Sequence, residues 1–148
     1  MEKFLVVVEC AIKCNDRFLF IKRPHGVHAG GFLAFPGGKV EYKDGGENVD
    51  ILEQAVKREV LEEVGLNLTD PIHFVTSTYF VDSSQEHVLD TIFYCNIQNT
   101  IPEVIPSVRE VPQYYWLTVN EALSHIDIPI WLKHSLSCVE KKMECLNH

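Results

Sequence analysis

The amino-acid sequence predicts an α/β protein in which helices cover both faces of a mixed β-sheet. Two observations predict this class. Several short runs rich in β-branched and aromatic residues indicate strands, while two helical patterns, one mid-chain and one near the end, indicate covering helices. The length of 148 residues fits a single domain over 1–148 with one core.

The strand predictions rest on apolar runs bounded by turn residues. The first two runs are joined by the turn-like segment Cys14–Asp16. The predicted strands are Phe4–Ile12, Arg17–Ile21, Ile72–Val81, Val88–Ile97 and Tyr114–Leu117. Loops are predicted at Pro24–Gly31 and Tyr42–Asp50, because glycine and polar residues dominate there, and Pro36–Gly38 is a strong break after Phe32–Phe35.

The clearest predicted helix is Ile51–Val64. Its apolar positions recur every four residues, at Leu52, Val56, Val60 and Val64. Gly65 is a plausible C-terminal stop, since glycine readily adopts the left-handed conformation that ends helices. Asn120–His125 and Ile130–Lys142 are predicted as further helices.

Composition and charge limit the possible functions. The hydrophobic fraction of 46% and the charged fraction of 23% are typical of folded globular domains. The net charge of −8 argues against binding to polymeric nucleic acid, which requires a basic face. A small phosphorylated substrate remains possible, because a divalent cation can neutralise phosphates and carboxylates together.

The cysteines are predicted to be free thiols in a reducing cytoplasm, because their number is odd and no short paired spacing occurs. They are Cys10, Cys14, Cys95, Cys138 and Cys145. No signal peptide or membrane span is expected, since the apolar run in Met1–Val8 is short and carries charges. A metal site at Cys10 with Cys14, or at His134 with Cys138 and Cys145, is the alternative, although the spacings differ from those of zinc sites.

Three carboxylates in the predicted central helix carry the most chemical information. Glu59, Glu62 and Glu63 stand at i, i+3 and i+4, so a helix brings them to one face, where they repel each other. Crowded hard oxygen ligands of this kind suit Mg²⁺ or Mn²⁺. The alternative interpretation is a solvated acidic helix face without a ligand.

The surrounding residues resemble the Nudix box, GX5EX7REUXEEXGU, where U is a bulky aliphatic residue. The matching residues are Gly38, Arg58, Glu59, Val60, Glu62, Glu63, Gly65 and Leu66. The resemblance implies a Nudix-like α/β/α sandwich with a mixed β-sheet and a catalytic helix.

One departure from the box affects its first glutamate. From Gly38 to Arg58 the chain is six residues longer than the motif, and the extra residues fall within Tyr42–Ile51. In the family this glutamate mainly braces the loop against the helix arginine. Glu47 and Asp50 are both candidates; Glu47 follows a glycine as in the motif, and we expect it to fill the position.

Outside the box, the chain is similar to the mutator-type nucleoside triphosphate pyrophosphohydrolases. The segment Phe35–Gly38 is typical of that branch, and Arg23 fits its basic substrate-binding position. Glu110, six residues before Trp116, matches a loop carboxylate that often completes the metal site. Phe35 or Tyr79 would stack on a base, or would instead belong to the core.

The resemblance implies that water attacks a phosphorus atom of a diphosphate linkage, with a nucleoside monophosphate and pyrophosphate as products. The implied substrate contacts are Arg23, Phe35 and Gly38. The implied metal ligands for Mg²⁺ or Mn²⁺ are Gly37 (through its carbonyl), Glu59, Glu62, Glu63 and Glu110. Glu59 or Glu110 would also handle the proton of the water, and Arg58 would orient the carboxylates.

Other functions remain open from the sequence. A nucleotide sugar or dinucleoside polyphosphate would be cleaved by the same chemistry, and a non-catalytic nucleotide-binding module is a further alternative. The expected partner is a small nucleotide, with no membrane association, and the protein is expected to be a monomer or homodimer.

Overall fold

A computed structural model describes residues 1–27, 29–98, 101–107 and 113–148. The strands in this part are β1 (Leu5–Cys14), β2 (Arg17–Lys22), β3 (Leu33–Ala34), β4 (Gly37–Lys39), β5 (Ile72–Val81), β6 (His87–Ile97) and β7 (Gln113–Leu117). The helices are α1 (Ile51–Val64), α2 (Val119–Leu123) and α3 (Ile130–Leu146), and a single 3-10 turn covers Tyr42–Asp44.

The strands form one mixed sheet. Its order is β3-β2-β1-β6-β5, with β4 paired to β1 and β7 paired to β2. The β1–β6 pair is parallel, whereas the other pairs are antiparallel. On one side of β1 the neighbour changes along the strand: Val7–Glu9 pairs with β4, and Lys13–Cys14 pairs with β2. The short strand β4 therefore lies directly beside the centre of the sheet.

Each face of the sheet has its own core, because successive residues of a strand point to opposite faces. On one face, Val8 and Cys10 of β1 pack with Val56 and Val60 of α1. On the other face, the core contains these residues of β1, β2, β6 and the two C-terminal helices: Ala11, Phe20, Ile92, Ala122, Leu132 and Leu136. The structure therefore confirms the predicted α/β/α sandwich.

Local signals set both ends of α1. The Asp50 carboxylate accepts hydrogen bonds from the backbone N–H groups of Leu52 and Glu53, each at 3.1 Å, and so caps the N-terminus. Gly65 ends the helix with φ +71°, and its N–H donates to the Leu61 carbonyl at 3.0 Å. The predicted bounds of this helix are confirmed.

Two elements differ from the sequence prediction. Gly37–Lys39 forms β4, although Pro36–Gly38 was expected only to interrupt regular structure. The 3-10 turn Tyr42–Asp44 lies inside a predicted loop. Both depend on contacts with distant residues, namely the pairing of β4 with β1 and the contact of Asp44 with α1.

The cysteines are free thiols, and Cys10, Cys14 and Cys95 are buried. Across the described ranges, no group of three or more His, Cys, Asp or Glu side chains is arranged to hold a metal ion. No helix in these ranges has the length and apolar character needed to cross a membrane.

Candidate functional site

Arg58 organises the polar surface between α1 and the preceding loop. Its Nε and Nη2 donate to the two carboxylate oxygens of Asp44 at 2.6 and 2.9 Å, and Nη2 also donates to the Lys39 carbonyl at 2.9 Å. Its Nη1 donates to Glu59 Oε1 at 2.8 Å and to Glu62 Oε2 at 3.1 Å. The guanidinium therefore reduces the repulsion between Glu59 and Glu62 and, together with Asp44, fixes the positions of three carboxylates.

Asp44 is the carboxylate that braces the loop against the helix arginine. Its side chain is only 3% exposed, and besides Arg58 it accepts the Glu41 backbone N–H at 2.8 Å. The hydrogen bond from Arg58 lowers the pKa of Asp44 below its usual value, and the same contact raises the pKa of Arg58. Asp44 is thus ionised and paired at neutral pH.

This geometry corrects the assignment of Glu47. Glu47 is exposed in the loop, and Asp50 serves as the N-cap of α1, so neither braces Arg58. Asp44 is the sixth residue after Gly38, which is the separation that the box specifies for its first acid. The extra residues therefore lie between Asp44 and α1, not between Gly38 and the bracing acid.

Glu59 and Glu63 both lie against the glycines of β4. Glu63 is 7% exposed, and its Oε1 accepts the Gly37 N–H at 3.1 Å. A Cβ added at Gly38 would overlap the Glu59 carboxylate. Gly38 thus allows the Glu59 carboxylate to approach the backbone of β4 closely, whereas a Cβ at Gly37 would overlap the Val8 carbonyl of β1.

Glu62 occupies a different position from the other two carboxylates. Its side chain is 51% exposed, and besides its bond to Arg58 it lies 3.9 Å from the Lys43 ammonium. The three carboxylates are therefore linked through Arg58 but are not gathered into one preformed metal cluster. Their hard oxygen donors suit a divalent cation, and Glu59 and Glu63 both lie beside the β4 glycines.

A second carboxyl pair, Glu9 and Asp90, lies nearby and was missed by the sequence analysis. Their side chains are hydrogen-bonded to each other across the β1–β6 pair. Burial raises the pKa of Glu9, and the neighbouring Asp90 and Glu63 raise it further, while Arg23 opposes the shift. Burial also raises the pKa of Asp90. The available signal was a charged residue inside each of two apolar strands.

Arg23 and Phe35, two of the predicted substrate contacts, lie in different surroundings. Arg23 follows β2 and is close enough to Glu9 and Asp90 to lower the pKa of both. Phe35 is 2% exposed and stacks on Phe20 with ring centroids 5.5 Å apart. Phe35 therefore lies in the core, which is the alternative that the sequence left open for it.

Two further candidate residues are Tyr79 and Glu110. Tyr79, the other aromatic candidate for base stacking, is 57% exposed and contacts Phe4 and His87, on the face of the sheet that α1 covers. Glu110 lies outside the described residues. The nearest described residue before it that contacts the site is Ser107, whose N–H donates to the Glu63 carbonyl at 2.9 Å.

Comparisons with known proteins agree with this architecture. The family model described as NUDIX domain matches residues 4–136. A curated relative, the 8-oxo-dGTP diphosphatase of Proteus vulgaris, is 34% identical over 71 residues, which cover 47% of this chain and 58% of the relative. The match thus spans less than two thirds of that relative's length.

Solved structures show the same fold. The MutT protein from Methanosarcina mazei Go1 aligns with a TM-score of 0.75 at 20% identity, covering 94% of each chain. The MutT NUDIX hydrolase from Burkholderia pseudomallei aligns with a TM-score of 0.75 at 22% identity, covering 93% of this chain and 99% of the other. At these identities the similarity concerns the fold.

Proposed function

Because the chain belongs to the NUDIX family, we propose that it hydrolyses a diphosphate linkage in a nucleoside triphosphate and releases a nucleoside monophosphate and pyrophosphate. The observation that carries the proposal is the arrangement of Arg58 with Glu59 and Glu62, next to Glu63 on the β4 glycines. The name of the Proteus relative, 8-oxo-dGTP diphosphatase, supports a purine nucleotide as substrate.

We propose Mg²⁺ or Mn²⁺ as the cofactor. Glu59 and Glu63 would hold it, with Glu62, the Gly37 carbonyl and Glu110 as additional ligands. A divalent cation supplies charge neutralisation at the phosphate oxygens and makes a bound water more acidic. Glu110 is included because it matches the loop carboxylate of the family, six residues before Trp116.

The side chains of the protein have separate roles in this proposal. Arg58 is a positioning residue: it holds Glu59 and Glu62 and is itself held by Asp44. Glu59 orients the attacking water and accepts its proton, a role that Glu110 shares or takes over. Arg23 binds the substrate, and Gly38 leaves space beside the Glu59 carboxylate.

The proposal is tested by incubating the protein with Mg²⁺ and a panel of dGTP, 8-oxo-dGTP, ADP-ribose and a dinucleoside polyphosphate, with identification of all products. We expect pyrophosphate from a purine triphosphate, and no turnover once divalent metal is chelated. If ADP-ribose or the dinucleoside polyphosphate is cleaved preferentially, that compound and not the triphosphate is the substrate class. Binding without any product would indicate a non-catalytic module.

Matched variants on α1 locate the activity. Glu59→Gln should reduce kcat by about two orders of magnitude or more, since it removes a group that acts in the transition state. Glu53→Gln is the control, because its side chain lies on the same helix and forms an exposed pair with Lys57 at 3.5 Å. Equal activity of the two variants would refute the assignment of Glu59.

Two properties of the protein in the cell complete the proposal. The buried free thiols Cys10, Cys14 and Cys95 support a reducing compartment, and we place the protein in the cytoplasm. It would act on small nucleotides as a monomer or homodimer. Gel filtration with light scattering distinguishes these two states.

A further inference from the structure

Asp90 is a buried carboxylate with an unsatisfied oxygen. It is 9% exposed, and within the described ranges its Oδ1 has no hydrogen-bond partner. The hydrogen bond with Glu9 therefore leaves this acceptor without a donor. Buried polar atoms normally have partners, because an unpaired one costs free energy. A donor from outside the chain would remove this cost.

The face of the sheet around Asp90 is partly exposed. On β1, Val8 and Cys10 point towards α1 and are fully buried, whereas Val7 and Glu9 point to the opposite face and stay partly exposed. Both belong to a strand paired on each side, so their exposure lies above the sheet and not at an edge. Asp90 on β6 is the register partner of Val7, so it lies beside this partly exposed region.

The chemistry of the pair limits what it can bind. Two carboxyl groups present hydrogen-bond acceptors and disfavour a phosphate. A cation is disfavoured as well, because the positive charge of Arg23 already acts on both Glu9 and Asp90. Neutral N–H donors are the groups that fit.

The pair is also adjacent to the catalytic carboxylates. Gly37 is the register partner of Glu9 on β1, and its N–H donates to Glu63 of α1. Paired strands lie about 4.8 Å apart, so Glu9 and Glu63 are separated by a single residue of β4. Glu63 is close enough to raise the pKa of Glu9, so a nucleotide with its base on the face that carries Glu9 would have to pass β4 to bring its phosphates to α1.

We propose that Asp90, supported by Glu9, binds the N–H edge of the nucleobase of the substrate and so determines which base is accepted. The inference rests on the proposed function, because it takes the substrate to be a nucleotide whose phosphates lie at α1. It predicts a preference for bases that carry N–H donors, such as guanine, over an unsubstituted purine ring.

The test measures binding of nucleosides, which lack phosphates and are not hydrolysed. Guanosine, whose base carries N–H donors, and purine riboside, whose base carries none, are titrated calorimetrically into the wild type, Asp90→Asn, Glu9→Gln and the exposed control Glu86→Gln. We expect guanosine to bind the wild type at least about tenfold more tightly than purine riboside. Asp90→Asn should abolish this difference, and Glu86→Gln should retain it.

The thermal midpoint of each variant shows whether it is folded. Asp90→Asn keeps the size of a buried side chain whose Oδ1 has no hydrogen-bond partner in the described ranges, so the midpoint should not fall. Equal binding of the two nucleosides by the wild type, undetectable guanosine binding, or an unchanged preference in folded Asp90→Asn would each overturn the inference.

Hydrolysis kinetics provide an independent readout. Asp90→Asn should raise KM for dGTP with little change in kcat, and should leave the triphosphate of purine riboside unaffected. A fall in kcat for both substrates would contradict a role in base binding. If the wild type discriminates between nucleosides but hydrolyses no nucleotide, the proposed function fails while base recognition stands, so the two failures are distinguishable.

Discussion

The Asp44–Arg58 contact gives a quantitative prediction. Asp44→Asn removes the charge from a bidentate ion pair whose side chains are 3% and 15% exposed. Removing one partner of a buried pair costs about 3–5 kcal/mol. We expect a loss near the lower end, about 3 kcal/mol, because Arg58 retains Glu59, Glu62 and the Lys39 carbonyl. For a chain of this size the thermal midpoint should fall by about 6–12 °C.

Urea unfolding followed by circular dichroism measures this loss, with two matched carboxylate variants from the same loop. Glu47→Gln should stay within about 0.5 kcal/mol of the wild type, because Glu47 is exposed. Asp50→Ala should lose about 1 kcal/mol through the missing helix cap. The reasoning is refuted if Asp44→Asn is no less stable than Glu47→Gln, or if Glu47→Gln shows the largest loss.

Four further predictions concern the site. Gly38→Ala should lower kcat with a preserved fold, because the added Cβ overlaps the Glu59 carboxylate; circular dichroism and kinetics together test this. Glu63→Gln should weaken the binding of Mg²⁺, measured as a higher metal concentration for the half-maximal rate. Because the guanidinium lowers the pKa of Asp44, the stability from that carboxylate is complete above its unfolded pKa of about 3.9 and is lost as pH falls below it; the thermal midpoint between pH 5 and 3 should therefore decline less in Asp44→Asn. Glu110→Gln should reduce turnover at saturating metal, and undiminished turnover would remove it from the site.

Elements that depend on local signals could be predicted from the sequence. The bounds of α1 follow from its apolar stripe, the Asp50 cap and Gly65, all of which lie within a few residues of the helix. Strand β4 could not be predicted in this way. Gly37 and Gly38 have low strand propensity, and they form a strand only because β1 pairs with them across a long separation in sequence.

The site residues, too, divide into those set by local spacing and those set by contacts between residues distant in sequence. The box motif predicted which carboxylates lie on α1, since helical spacing alone puts them on one face. It did not reveal that Arg58 binds Asp44, because that contact depends on the path of the loop. Nor did it reveal the pairing of Glu9 with Asp90, which depends on the parallel register of β1 and β6. A charge within an apolar strand is visible in the sequence, but its partner is not.

The position of the extra loop residues explains how the chain accommodates them. The box allows seven residues between its first acid and the arginine, whereas thirteen separate Asp44 from Arg58 here. Nearly doubling a flexible loop costs only about 0.6 kcal/mol in closure entropy, far less than the contact that closes it. Asp44 anchors the loop at one end through Arg58, and Asp50 anchors it at the other by capping α1. Because Asp44 precedes the added residues and Asp50 caps α1 where they end, the longer loop still brings Asp44 to Arg58.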